Sequence, residues 1–323
     1  MNSLTHLSKL NVKCRNPCGF HNMVVHQWGD PDNSSVVICL HGLTRAAKDF
    51  LCLANELKIK YRVLAPDLAG RGESDWLANE SLYQISQYIN DLNSMFIQLG
   101  LKKIHVIGTS FGGLIGLLMA SSIFNSEYKN SPFFFGVSNT RVDEKIIFES
   151  LVINDFGSQV QLSNLFNLAN QIDFEPDIEL EDFNEAVLLV KRICKDFGHH
   201  SSSQWKVLTE SFFRQEKENG PFKIHFDPAI VSHFRRFFSV LGGNLKTNLI
   251  RIPDLNFWTF YDNLNCKTLL LRGMESSLLD RDTAIQMTKR GPKPKLVEFA
   301  GIGHAPTLMQ IDQIAIIKNF LNF

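Results

Sequence analysis

The stretch "IHVIGTSFGGLIG", residues 104–116, constrains this chain more than any other. A β-branched, apolar run ends at a serine, and an apolar helical run begins at once. A strand that passes into a helix through so short a turn forces the residue at its apex into a strained backbone conformation. It also lifts that residue's side chain above the sheet. Side chains two residues to either side would collide, which accounts for glycine at both Gly108 and Gly112. The start of the helix offers backbone N–H groups and a dipole that favour a developing negative charge. The plainer alternative is a glycine-rich turn that only allows close helix packing.

The same alternation runs through most of the chain. "SVVICLHG" (35–42), "YRVLAPD" (61–67), "KIHVIGT" (103–109), "SLVIND" (150–155), "KTLLLRG" (267–273) and "KLVEF" (295–299) read as buried strands. Helical patterns fall at 46–58, 82–99, 111–123, 281–290 and 308–321. Strands alternating with helices imply right-handed crossovers and a mostly parallel sheet covered on both faces. "MVVHQWGD" (23–30) adds an antiparallel edge hairpin.

Residues 156–250 break this rhythm. They carry helical patterns at 181–197, 203–218 and 228–241, no buried-strand run, and 12 of the 26 phenylalanines. We expect a helical cap inserted after the fourth parallel core strand, its aromatics shared between a small core and the roof of an apolar pocket. The expected boundaries are 1–157 for the first part of the core, 158–250 for the cap and 251–323 for the second part.

Charge and cysteine content narrow the function. Lys+Arg and Asp+Glu are 33 each, so no basic field points to nucleic acid or acidic lipid. No apolar run approaches the roughly 20 residues of a membrane helix. The first residues lack the apolar segment of a signal peptide. Six scattered cysteines fit reduced thiols and a cytoplasmic setting better than a disulfide framework. Cys14 and Cys18 have no second pair, so no zinc site is expected.

Several separate segments resemble the α/β-hydrolase family, over about residues 20–323. "LHGLTRAAKDF" (40–50) is similar to its His-Gly oxyanion loop, and "APDLAGRGESD" (65–75) to its D-x-x-G-x-G-x-S turn. "GTSFGG" resembles its nucleophile elbow, and "GIGHAP" (301–306) the loop carrying its catalytic histidine. The resemblance implies Ser110 as nucleophile and His304 as the base that takes its proton and returns it to the leaving group. It also implies an oxyanion hole from the backbone N–H groups of Leu43 and Phe111. His41 is expected to brace its loop, His105 to sit satisfied in the core, and His199 and His200 to be solvated. Arg71, Glu73 and Asp75 are expected to tie a surface loop together. The segment 125–149 is longer than this connection usually is in the family.

The acid departs from the family's commoner pattern. Where the loop after "TLLLRG" often carries aspartate, this chain has Ser277. Glu275 lies two residues early, and Asp280 is three late and suited to capping a helix. Asp155, at the end of "LVIND", is the preferred candidate, with Glu275 as the alternative. An imidazolium forming in a dry site needs a charged partner. Asp155 alternatively serves only to hold nearby backbone N–H groups.

The expected activity is that of a serine carboxylesterase on small to medium acyl esters, with no cofactor and no metal. Serine rather than aspartate at the elbow argues against epoxide hydrolase and dehalogenase chemistry. Carbon–carbon bond hydrolases and amidases share the same triad. A non-catalytic binding protein of the same fold is the alternative from another class.

Overall fold

The computed structural model of the protein describes residues 7–122, 146–171, 178–215, 217–232 and 254–322. A hairpin opens the chain: β1 (Ser8–Asn16) and β2 (Gly19–Trp28) pair antiparallel from Ser8 opposite Gln27 to Asn16 opposite Gly19. Then come β3 (Val36–Leu40), α1 (Leu51–Leu57), β4 (Arg62–Pro66), α2 (Ile85–Gln98), β5 (Lys103–Thr109), α3 (Phe111–Ala120) and β6 (Ile147–Asn154). The next part holds β7 (Gln159–Val160), α4 (Leu162–Gln171), β8 (Glu179–Leu180), α5 (Phe183–Ile193), α6 (Ser202–Glu210), β9 (Phe213–Gln215) and β10 (Phe222–Ile224). The chain finishes with β11 (Leu255–Asn256), α7 (Trp258–Asp262), β12 (Lys267–Gly273), α8 (Arg281–Met287), β13 (Lys295–Phe299) and α9 (Ile311–Phe320).

Eight strands form one sheet in the order β1-β2-β4-β3-β5-β6-β12-β13. From β4 to β13 every neighbour is parallel. The hairpin adds the antiparallel edge, and it begins earlier than the sequence pattern marks, because β1 alternates exposed and buried residues instead of forming an apolar run.

Both faces are covered, and period-2 alternation shows how. Val36, Ile38 and Leu40 of β3 enter one core, and Val37 and Cys39 enter the other. Leu151 and Ile153 of β6 join the first, and Val152 the second. Each such side chain, fully withdrawn from water, contributes about 1.5–3 kcal/mol. Helix α3 packs in the first core through Leu114, Ile115, Leu117 and Leu118, whereas α1 packs in the second through Leu53, Ala54 and Leu57. The neighbours β3 and β5 therefore send their helices to opposite faces. In open α/β sheets this switch point, beyond the carboxyl ends of the strands, is where ligands bind.

The stretch between β6 and β12 is less helical than its sequence pattern indicates. Helices α5 and α6 form, but the run 203–218 ends at α6 and continues into β9. Strands β8, β10 and β9 make a three-stranded antiparallel sheet, with Phe222 opposite both Leu180 and Gln215. The helix already ends at Glu210, and between β9 and β10 Asn219 takes a positive φ of 61° to turn the chain. A separate small core fills this region, including Ala186, Val190, Leu208, Phe212, Phe213 and Phe226. Most of the run 228–241 and of the segment 125–149 lies outside the described residues. Among the described residues, no helix is long and apolar enough to cross a membrane.

One residue fixes how closely α3 approaches the sheet. A Cβ built on Gly112 would fall inside van der Waals distance of the Leu40 carbonyl, and one on Gly108 would strike the Gly112 carbonyl. Gly112→Ala must push α3 off β3, so we expect a stability loss of roughly 3 kcal/mol. Denaturant unfolding of the variant checks this, and a midpoint equal to wild type would contradict the packing described.

Candidate active site

Ser110 sits at the apex between β5 and α3 with φ 53° and ψ −115°, a conformation that a side-chain-bearing residue adopts only under constraint. Its N–H donates to the Asn154 carbonyl at 2.8 Å, so the strained turn is tied to the end of β6. Asp155 follows directly and also has a positive φ, 58°. Its N–H donates to the Leu271 carbonyl, and its Oδ1 accepts from the Gly273 N–H at 3.2 Å. The carboxylate is thus placed by β12 and wholly buried.

His304 arrives in the loop after β13. Its Nε2 lies 2.7 Å from Ser110 Oγ and its Nδ1 lies 2.7 Å from Asp155 Oδ2. Both ring nitrogens are thereby occupied, one by a hydroxyl and one by a buried carboxylate. The other two carboxylates are engaged elsewhere. Glu275 accepts from the N–H groups of Gly301 and Ile302, at 3.0 and 2.8 Å, and so shapes the histidine loop from beneath. Asp280 caps α8, accepting from the Thr283 N–H at 2.8 Å. Ser277 is exposed.

Two further segments meet beside Ser110, the start of α3 and the loop after β3. Phe111 is the first residue of α3, so its N–H has no acceptor within the helix. The loop after β3 brings Gly42 beside the serine: a Cβ built on it would lie 3.9 Å from Ser110 Cβ. Among the described residues, the Leu43 N–H donates to no other backbone group. His41 braces this loop, as expected. It is wholly buried, its Nδ1 meets the Gly42 carbonyl at 2.7 Å, and its Nε2 accepts from the Leu68 N–H at 3.0 Å. That second bond makes Nδ1 the donor.

Three expectations need correction. Arg71 does not tie a surface loop. It is fully buried and donates to the carbonyls of Leu43 and Ala69 and to the Tyr88 hydroxyl. Its guanidinium also lies over the Tyr88 ring at 4.7 Å, an attraction that draws it inward. Glu73 and Asp75 do stay near the surface, bonded to Lys9 and to the Asn22 N–H. His200 is not solvated: it packs against Trp205, and its Nε2 meets Thr307 Oγ1 at 2.8 Å. His105 is only partly buried, though satisfied by Ser150 and Glu149.

One residue and one buried cluster escaped sequence reasoning. Asn154 Nδ2 donates to Thr109 Oγ1 at 3.0 Å and to the Pro306 carbonyl at 2.8 Å, joining the serine turn to the histidine loop. A polar residue ending an apolar strand was its only signal. Cys14, His21 and Asp91 bring ligand-type atoms within 4.8 Å of one another. His21 already bonds Asp91 at 2.9 Å and Asn16 at 2.9 Å, and Asp91 also accepts from Gln87. The group therefore works as a buried network that fastens the hairpin to α2.

Burial of His41 carries a pH signature. Desolvation pushes its pKa down to about 4, with Asp67 opposing and the Arg71 charge adding. The unfolded chain, at the ordinary value near 6.5, then binds a proton that the folded one refuses. Stability is complete above about pH 6.5 and is lost as the pH falls towards 4, by roughly 3 kcal/mol for this residue. His225, held down to about 4 by burial, adds a second such loss. Unfolding free energies measured across this window should rise with pH, and His41→Gln should reduce that slope by about one proton. An unchanged slope in the variant would contradict a neutral, buried His41.

Comparison with known proteins agrees with this architecture. Residues 35–127 match the family model described as alpha/beta hydrolase fold. The chain is 32% identical over 311 residues to a 3-hydroxybutyrate-oligomer hydrolase of Cupriavidus necator, covering 96% of each. An alpha/beta hydrolase structure from Novosphingobium aromaticivorans aligns with a TM-score of 0.74 and 26% identity, over 98% of this chain and 99% of that one. A solved chain from Rickettsia typhi aligns with a TM-score of 0.79 and the same identity, over 98% and 99%. The chain belongs to the alpha/beta hydrolase family and is a hydrolase of that fold.

Proposed function

We propose that this protein is a serine carboxylic ester hydrolase that works through Ser110, His304 and Asp155. The observation that carries the proposal is the unbroken chain from Ser110 Oγ through the His304 ring to Asp155, both bonds 2.7 Å. A serine hydroxyl is a poor nucleophile near neutral pH unless a base stands within hydrogen-bond reach. His304 Nε2 takes the proton as Oγ attacks the ester carbonyl, and Asp155 steadies the imidazolium and fixes its orientation. The N–H groups of Phe111 and Leu43 stabilise the oxyanion. His304 then protonates the departing alcohol, and water, activated by the same nitrogen, releases the acid. Residues of this chain supply every role, so the scheme calls for no cofactor.

The substrates proposed are small to medium acyl esters, with short oligoesters of hydroxy acids foremost. Full-length similarity to a 3-hydroxybutyrate-oligomer hydrolase supports that preference. Residues 158–250 are proposed to act as a cap over the site. Its support is contact with the catalytic loops: Gly303 N–H donates to the Asp196 carbonyl at 2.6 Å, and Gln204 donates to the Met309 carbonyl.

Kinetics on p-nitrophenyl butyrate, together with labelling by a fluorophosphonate probe, test the proposal. Ser110→Ala should lose label and at least about four orders of magnitude in kcat, and Asp155→Asn about as much, while both stay folded. Glu275→Gln should stay within about tenfold of wild type, since it supports the loop only through backbone bonds. A wild-type protein that neither labels nor cleaves esters would be a binding protein instead. Equal losses in Glu275→Gln and Asp155→Asn would overturn the choice of acid.

A further inference from the structure

Buried nitrogens with unused hydrogen-bonding capacity gather along one seam, where residues 178–232 meet the loops at the top of the sheet. His225 is 8% exposed, and neither of its ring nitrogens has a partner. Arg45, 9% exposed, binds Asp49 through Nε and Nη2 and leaves Nη1 without a partner. Arg71, wholly buried, leaves Nη2 unused. Folded proteins satisfy nearly all buried polar groups, and one left alone is costly. Guanidinium nitrogens only donate. Two guanidiniums and one neutral imidazole N–H along one seam therefore suit a ligand that carries oxygen acceptors.

His225 lines a groove of about 710 Å³ on this seam, together with Lys48, Glu210, Phe183, Phe213 and Phe222. Its backbone is pinned, since its carbonyl accepts from the Gly72 N–H at 2.8 Å. Burial keeps its pKa at about 4, so near neutral pH the ring carries one N–H donor. Lys48 pairs with Glu210 at 2.9 Å, but both side chains are more than 40% exposed. Such pairs are weak and readily exchanged. A buried side chain, Arg45, lies between the loop beside the catalytic serine and Phe212, the neighbour of groove residue Phe213. A Cβ on Gly42 would lie 3.9 Å from Ser110 Cβ and 3.3 Å from Arg45 Cγ. On its other side the Arg45 guanidinium lies 3.9 Å from the centre of the Phe212 ring, next in sequence to Phe213 of the groove.

We infer that this groove is the subsite for the carboxylate-terminated, leaving-group end of a short oligoester. Lys48 receives the terminal carboxylate, His225 donates to an ester carbonyl, and Phe213 and Phe222 cover the alkyl groups. The same groove carries Arg214 beside Glu73 and Glu210. The inference rests on the ester hydrolase proposed above. Attack by Ser110 breaks the acyl C–O bond, the departing oxygen takes its proton from His304, and a hydroxy acid leaves. Water then divides the acyl-enzyme into the second acid and free Ser110.

The test uses the full chain and three substrates: the 3-hydroxybutyrate trimer as free acid, the same trimer methylated at its carboxylate, and p-nitrophenyl butyrate. Wild type should favour the free acid over the methylated trimer by about tenfold or more in kcat/KM, chiefly through KM. Lys48→Gln should shrink that preference to within about twofold. His225→Phe should lower trimer cleavage about tenfold more than p-nitrophenyl butyrate cleavage. Equal use of the two trimers by wild type would overturn the subsite, as would variants that lower all three rates in proportion. If His225→Phe does not fold, the exposed Lys48 decides alone. A wild type that cleaves p-nitrophenyl butyrate but not the trimer refutes the subsite only. One that cleaves neither refutes the hydrolase proposal, and the subsite with it.

Discussion

The close approach of α3 to β3 is the constraint on which the site depends. Gly112 lets the helix backbone lie against the Leu40 carbonyl, and Gly108 lets the preceding strand pass under it. With the helix this near, the turn has one residue in which to reverse, and that residue, Ser110, takes a positive φ. Such a conformation costs roughly 1–3 kcal/mol and persists because its surroundings determine it. Here the surroundings are specific. The end of β6 accepts the Ser110 N–H, and Asn154 reaches from the same strand end to the Pro306 carbonyl. One residue thus spaces both the serine turn and the histidine loop from β6.

That spacing explains why a carboxylate at the end of β6 meets His304 when the commoner loop position is occupied by Ser277. Asp155 emerges between β5 and β12, and its second oxygen is held by the Gly273 N–H at the end of β12. The loop after β12 is free for a different task. Glu275 gathers the N–H groups of Gly301 and Ile302 and so sets the path by which the chain reaches His304. Carboxylates thus stand at both loops, but only one meets the imidazole. The other acts on the backbone that carries it.

Much of this was legible because it follows from local rules. Strands β5, β12 and β13 begin and end where their apolar runs do, and Gly100 with φ 62° stops the segment after α2 where its pattern ends. The elbow was legible because tight reversal demands glycine at fixed offsets. What stayed hidden depends on partners distant in sequence. Strand β1 alternates because one face is solvated, so no apolar run marks it. Strands β9 and β10 are three residues each, and their pairing, not their composition, makes them strands. Arg71 reads as a surface residue because cations usually are. Only the fold reveals Tyr88 and the Leu43 carbonyl waiting for it.

Arg71 shows how the two parts of the site are coupled. It forms a bridge with Phe226 across the junction between the turn after β4 and the segment after β10. Its side chain runs the other way, to the Leu43 carbonyl, and its guanidinium lies 5.9 Å from the centre of the Phe111 ring. A residue whose backbone meets one side of the seam and whose side chain holds the loop beside Ser110 cannot shift alone. Removing a buried cation from water is expensive, and no carboxylate pairs with this one among the described residues. Three neutral oxygens and an aromatic face hold it instead. This charge, met by no carboxylate among the described residues, therefore lies beside the loop that carries Leu43, in a low dielectric that water does not screen.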